Sequence, residues 1–438
     1  MGKENEVMGI TVIDSIMGSG KTSYAIQMIN ENPEISYIYC TPFLDEVKRM
    51  RESCNRDFKE PQYKGGRKLD DFNSLLLDGR DIVVTHSTFA NANQETMELI
   101  ENGEYVLLLD ETLDILIDFN EVATNTVGKA DVKMLLQEGF ISYDKYGRVT
   151  WLKNHYPDTR YYDIERFARN GNLFYLDGAM LVWQFPPQIF GLFKKVVLLT
   201  YMFNGSFLKP YFEYHKIPYD LAGIRFNNGK YELTAYYCNY EQQKDFQNLI
   251  DILDDKKMND YNAAALSKSW FMRQNKNTLK KLQNNIYNYL RNITKAKAES
   301  ILWTAPKDYR DTLKGRGYNI VRQLTPEEKQ LPIAEREKIE KKLKCFLPCN
   351  ARATNDYADR SVLVYAFNMY CNPYTKRYFE NKNQNDGTNI TINQDYLALS
   401  CMLQWIWRSQ IRNGKPIKIY IPSTRMRKLL IAWLNGEM

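Results

Sequence analysis

Compact apolar runs recur along the first half of the chain: "GITVID" (9–14), "SYIYCTP" (36–42), "DIVVTH" (81–86), "YVLLLDE" (105–111) and "VVLLTY" (196–201). Their length and β-branched content suit buried strands. Between the early runs the apolar positions widen to helical spacing. In "SYAIQMIN" (23–30) they fall at Ala25, Ile26, Met28 and Ile29, and "FLDEVKRMRESC" (43–54) resumes after the break at Pro42. Strands alternating with helices predict an α/β fold with a parallel, doubly wound sheet covered on both faces.

The pattern then changes. Between Glu111 and Val196 lies a long connection, in which "NLFYLDGAMLVWQF" (172–185) predicts a β-hairpin about Asp177-Gly178. Such a hairpin covers a sheet edge or rim in its simplest reading; a strand-splitting wedge is the alternative. Polar texture around 222–260 places a domain boundary at 215–235. The basic stretch 271–300 reads as one long helix, solvated in its simplest reading and a nucleic-acid surface in the other. Strand-like runs return at "SILWTAP" (300–306), "KCFLPCN" (344–350), "VLVYAFN" (362–368) and "IKIYIPS" (417–423), which predict a second α/β layer.

A chain of 438 residues exceeds one ordinary core, so two or three domains are expected. A net charge of +6 permits a polyanionic partner without requiring one. The 31 tyrosines offer rings that can stack on single-stranded bases. Seven scattered cysteines without a CxxC pair, beside three histidines, argue against a zinc site or a disulfide framework. No signal peptide is visible and no apolar run approaches the ~18–20 residues that cross a bilayer. The expected setting is the reducing cytosol (the host's, if the chain is phage-encoded), with no membrane partner.

Candidate chemistry begins at "IDSIMGSGKTS", where a phosphate-binding loop follows a strand and opens a helix. Ser15 stands in the first glycine's place, and Met17, Gly18, Ser19, Gly20, Lys21, Thr22 and Ser23 complete the cradle. Lys21 would meet the β- and γ-phosphates of ATP, and the Thr22 hydroxyl would ligate Mg2+. A glycine-rich turn is the plainer alternative. About ninety residues on, "VLLLDET" supplies Asp110 for the metal and Glu111 for the attacking water.

These motifs and their order resemble superfamily 2 helicases of the DEAD/DEAH-like kind, most closely the compact helicases encoded by bacteriophages. "SIMGSGKT" is similar to motif I and "LLDET" to motif II. "YCTPF" (39–43) resembles the Thr-Pro element, which gives Thr41 and Pro42 a nucleic-acid contact. "VVTHSTF" (83–89) resembles the next contact motif, through Thr85 and His86, and "LLTYMF" (198–203) stands where the family links hydrolysis to movement. "NARATNDYADR" (350–360) lies at motif V, with Arg352, Thr354 and Asn355 as contacts. "QWIWRSQIR" (404–412) resembles motif VI. On one helix Gln404, Arg408 and Arg412 would share a face aimed at a γ-phosphate. Trp407 replaces the family's Gly, and the arginines are spaced by four rather than three.

The resemblance implies two RecA-like P-loop NTPase domains with parallel sheets, one over 1–220 with a hairpin-containing insertion at about 120–195, the other over 235–438. It also implies an ATP- and Mg2+-dependent nucleic-acid translocase or helicase acting in phage DNA replication or recombination. The nucleic acid would be DNA in preference to RNA, with other replication proteins as further partners. Two rivals stay open: a terminase-like packaging ATPase, and an ATP-switched loader that binds nucleic acid without unwinding it. The stretch 401–438 carries seven Lys/Arg against one acidic residue, which suits phosphate contacts.

Overall fold

Side chains on a strand alternate between its two faces, so a strand that is apolar throughout needs a core on each side. β1 (Ile10–Asp14), β2 (Tyr37–Thr41), β3 (Ile82–Thr85) and β4 (Val106–Asp110) meet that condition. An inserted region follows, with β5 (Leu116–Asp118), β6 (Ile141–Tyr143), β7 (Val149–Trp151), β8 (Leu173–Leu176) and β9 (Met180–Gln184). The main sheet then resumes with β10 (Lys195–Thr200), β11 (Tyr219–Asn227) and β12 (Lys230–Ala235). Ile10, Val12, Ile38, Cys40, Leu107, Leu109, Val196 and Leu198 enter one core. Ile13, Tyr37, Tyr39, Leu108, Val197 and Leu199 enter the other, with Ala25 and Ile29 of helix α1 (Lys21–Glu31).

This computed structural model describes the chain apart from residues 1–8, 43, 65–66, 157–158, 177, 179, 237–239 and 352–355, and apart from the side chains of 240–242. The chain divides into two compact units. The first is Met1–Ser15, Ser19–Tyr236 and Cys371–Asn393; the second is Ile16–Gly18, Tyr237–Tyr370 and Gln394–Met438. The sheet of the first unit runs β12-β11-β1-β10-β4-β2-β3, parallel except for the β11–β12 hairpin.

Three sequence expectations about this unit change. The segment 215–235, read as a domain boundary, carries β11 and β12; the hairpin at the sheet edge has an exposed face, which gave it the polar texture of a linker. The predicted β8–β9 hairpin forms with Leu176 opposite Met180, and Asp177 lies outside the described residues. It joins β5 in a separate antiparallel sheet whose strands β8 and β9 are largely buried, and its Leu173, Phe174, Val182 and Trp183 enter the same core as Ile10, Val12 and Leu107 of the parallel sheet. Finally, Cys371–Asn393 belongs to this unit although sequence order places it with the other half. Tyr378 of its helix Pro373–Asp386 donates a hydrogen bond to Gln184 Oε1 at 2.7 Å and meets Phe174 edge-on at 5.3 Å.

The second unit has a parallel sheet of β13 (Ile250–Ile252), β14 (Ile301–Thr304), β15 (Val362–Tyr365) and β16 (Ile417–Tyr420), ordered β13-β16-β15-β14. "KCFLPCN" is not a strand: Phe346 makes a single bridge to Trp303. Pro348 has no N–H to extend the pairing. The basic stretch is not one helix either, because Asn275 accepts from Thr278 N and starts a new helix, Lys276–Tyr287, after Lys268–Arg273 ends. That helix buries Leu279, Leu282 and Ile286 in the core, so its lysines form the solvent face of a packed element.

Candidate functional site

Parallel strands end together, and here β1, β10, β4 and β2 bring Asp14, Thr200, Asp110 and Thr41 to one edge of the sheet. The phosphate loop leaves β1 at that edge. Gly18 (φ 81°) and Gly20 (φ 95°) adopt left-handed backbone there, a conformation costly to any residue with a Cβ. Gly20 caps α1 without a side-chain hydrogen bond, so the N–H groups of the first turn have no side-chain cap. An anion fits such a helix start. Ser19 Oγ is buried within the loop with no hydrogen-bond partner, a donor awaiting an acceptor.

Ser15 explains why the loop tolerates it in place of glycine. Its hydroxyl accepts from Ile224 N of β11 at 3.2 Å and its N–H donates to Thr200 O at 3.1 Å. Its side chain thus faces the neighbouring strand, while its carbonyl accepts from Lys21 Nζ at 2.6 Å. Burial lowers the Lys21 pKa, opposed in order by the charges of Glu111, Asp110 and Asp14.

Asp110 is 7% exposed, and burial raises its pKa to about 7, with the charges of Glu111 and Glu46 adding. Thr41 Oγ1 donates to Asp110 Oδ2 at 3.3 Å, and His86 Nε2 hydrogen-bonds the Asp110 carbonyl at 2.9 Å. Glu111 follows in the left-handed region at φ 64°, its N–H held by Leu199 O at 2.9 Å. Such a conformation costs about 1–3 kcal/mol in a residue with a side chain and is retained where function uses it. Both consecutive carboxylates lie within electrostatic reach of Lys21.

Sequence reading missed Asp14. Its Oδ2 accepts from Phe203 N at 3.0 Å and from the Tyr236 hydroxyl at 3.3 Å, and burial raises its pKa. The strand before the phosphate loop is thereby tied to the Tyr201–Phe203 turn, where Met202 is left-handed at φ 56°. A charge closing the run "GITVID" was the available signal.

The nucleic-acid contact set is placed differently from its expected role. The hydroxyl of Thr41 and the ring of His86 are buried and turned to Asp110. Thr85 Oγ1 caps the short helix His86–Phe89 by accepting from Thr88 N at 3.4 Å, and Pro42 is partly exposed. Arg352, Thr354 and Asn355 lie outside the described residues.

In the second unit, Gln404 sits in the helix Gln394–Ile406, but Arg408 and Arg412 lie beyond its end. Arg408 N bonds Trp405 O at 3.1 Å in a turn, and Ser409 caps the 3-10 segment Gln410–Asn413, which contains Arg412. The shared helical face expected of the three residues does not form. Gln410 N donates to Arg360 O at 2.9 Å and so draws the chain away from the helix axis.

Among the described residues no group of three or more His, Cys, Asp or Glu side chains could hold a metal. Magnesium does not require one, since it keeps waters and binds one or two carboxylates with substrate phosphates. Asp110 and the Thr22 hydroxyl, beside a loop with an unmatched Ser19 donor, fit a magnesium–nucleotide pair.

Two family models match this chain, the YonV C-terminal Rossmann-like domain over residues 244–434 and the YonV middle domain over 122–183. The SPbeta prophage-derived uncharacterized protein YonV of Bacillus subtilis (strain 168) is 39% identical over 447 residues, covering 98% of this chain and 99% of the relative. Among solved structures, one described as Xpd4 of S. tokodaii is similar at 13% identity with a TM-score of 0.46, over 97% of this chain and 93% of its own. Another, described as XPD helicase, is similar at 12% identity with a TM-score of 0.49, over 97% of this chain and 94% of its own. A third is the DUF1998 helicase MrfA bound to DNA, at 12% identity and a TM-score of 0.31, over 94% of this chain and 46% of that one.

Proposed function

The chain belongs to the YonV family, and from that premise we propose that it is an ATP-hydrolysing, nucleic-acid-dependent translocase or helicase that serves phage DNA replication or recombination. The observation carrying this reading is the convergence of a glycine-bent phosphate loop, the partly buried Lys21 and the Asp110–Glu111 pair on one edge of a parallel sheet.

Lys21 neutralises the terminal phosphates, drawn from its hold on the Ser15 carbonyl. Magnesium, when bound, neutralises charge on the β- and γ-phosphate oxygens, and Thr22 and Asp110 are the residues that would hold it. Binding there requires Asp110 ionised, which the positive charge of Lys21 favours. Glu111, turned out of the strand line, orients the attacking water and accepts its proton. Asp14 ties the loop strand to the Tyr201–Phe203 turn, a route by which a change at the phosphates reaches another strand end.

Steady-state ATP hydrolysis with and without single-stranded DNA or RNA tests the reading, with Lys21→Ala as control. Stimulation by one nucleic acid, lost in the variant, is expected; no hydrolysis dependent on Lys21 under any condition would sink it. Strand displacement in the same preparation separates a helicase from a loader that only clamps its strand.

A further inference from the structure

The sheet order puts the phosphate-binding groups and the β11–β12 hairpin on opposite flanks of β1. Asp110 and Glu111 lie toward β10 and β4, while β11 and β12 lie on the other side. A nucleotide whose terminal phosphates meet Lys21 and Asp110 can extend its nucleoside past Gly20 on the hairpin side, where the Tyr231 ring stands.

Two aromatic rings stand there. The Tyr231 ring lies against Gly20, where an added Cβ would collide with ring carbons. Gln27 of α1 fixes the tyrosine backbone from both sides, its Nε2 donating to Tyr231 O at 3.1 Å and its Oε1 accepting from Tyr231 N at 2.8 Å. Lys230 and Glu31 pair at 2.9 Å one step away. Phe226 is the cross-strand partner of Tyr231, its ring centroid 4.8 Å distant at an interplanar angle of 53°. Yet Phe226 is 60% exposed. Ile224 and Tyr231 seat the hairpin on the core, which leaves Phe226 as the open ring beside the loop.

We propose that Phe226 and Tyr231 form the ledge on which the nucleotide's base stacks, recognised by its π face rather than by hydrogen bonds to its edge. This rests on the loop being a nucleotide site and adds where the nucleoside goes. A ledge of this kind discriminates weakly between bases, because each offers a π face, and favours purines for their larger overlap. Tyr231 is the inner, pinned ring and Phe226 the outer one.

Equilibrium competition binding with ATP and with inorganic tripolyphosphate, both in magnesium buffer, tests it. Phe226→Ala is expected to weaken ATP about tenfold, the effect of removing one ring from a base stack. Tripolyphosphate binding should be unchanged and Phe226→Trp should restore ATP. Lys21→Ala should weaken both ligands. Equal loss of both ligands in Phe226→Ala, or no loss of ATP, overturns the ledge while leaving the nucleotide site standing. Wild-type protein that binds neither ligand overturns the nucleotide reading itself, and the ledge with it.

Discussion

Around Lys21, the geometry is set by backbone groups of neighbouring strands; around Arg408, it is set by where a helix stops. In the first region Ser15, Asp14 and Glu111 each bond main-chain atoms of β10, β11 or the Tyr201–Phe203 turn, so the strand ends around Lys21 inherit the rigidity of the sheet. In the second, Gln404 remains in its helix while Arg408 and Arg412 sit on a turn and a 3-10 segment capped by Ser409. A motif that works through its own main chain keeps its shape wherever the strand and helix beside it form. A set of side chains spaced for one helical face keeps its shape only while the helix continues.

The largest expected effect separates chemistry from binding in the first region. Glu111→Gln should lower the rate of phosphate release by about 10²- to 10⁴-fold, as for loss of a general base, with ATP binding retained. Unchanged turnover would mean that the left-handed carboxylate serves structure alone. Next comes a comparison within the second region. If the motif VI resemblance assigns Arg408 to hydrolysis, Arg408→Ala should cut turnover on the order of 10³-fold. Arg412→Ala should do much less, because the two do not share a helical face. Equal losses in single-turnover assays would restore the shared face and break the contrast.

A smaller effect probes how the sheet edge is tied. Asp14→Ala removes the acceptor for Phe203 N and the Tyr236 hydroxyl. Leaving a buried donor unmatched should cost about 1–3 kcal/mol in urea unfolding, and Asp14→Asn less. A neutral result would show that the tie carries no stability.

The last is spread over several pH units and concerns a polar cluster far along the chain but in the same unit. His215 Nε2 meets Gln184 Nε2 at 3.1 Å, and burial lowers the pKa of His215 from 6.5 to about 3, with the charges of Arg148 and Lys382 adding. Between those values the unfolded chain binds a proton that the folded one does not, so stability falls as pH drops from about 6.5 toward 3. The slope should be on the order of 1 kcal/mol per pH unit, and His215→Phe should flatten the acid limb of the stability profile by that amount. An unchanged limb would mean that His215 is solvated when protonated.

Both the fold and the site were partly legible in the residues. The strands over 10–14, 37–41, 82–85, 106–110 and 195–200 and the hairpin at 173–184 follow from compact apolar runs and turn chemistry, and both glycines of the loop are needed where the backbone is left-handed. The run 344–350 looked equally strand-like, but it makes only isolated bridges, Lys344 to Ile320 and Phe346 to Trp303, and Pro348 has no N–H to extend them. Thr41 and His86 looked like surface contacts because neighbouring residues cannot reveal that both would close on Asp110.

By itself, then, the sequence determined the buried strands of the first unit named above and the glycine-bent loop after β1, since each depends on residues a few positions apart whose pattern and backbone freedom are written consecutively. Only the tertiary structure decided that Ser15 would face β11, that 371–393 would complete the first unit, and that β11 and β12 would extend its sheet rather than lead out of it. Those outcomes depend on which strand edges and apolar faces are still uncovered once the rest has folded, a condition that no local pattern records.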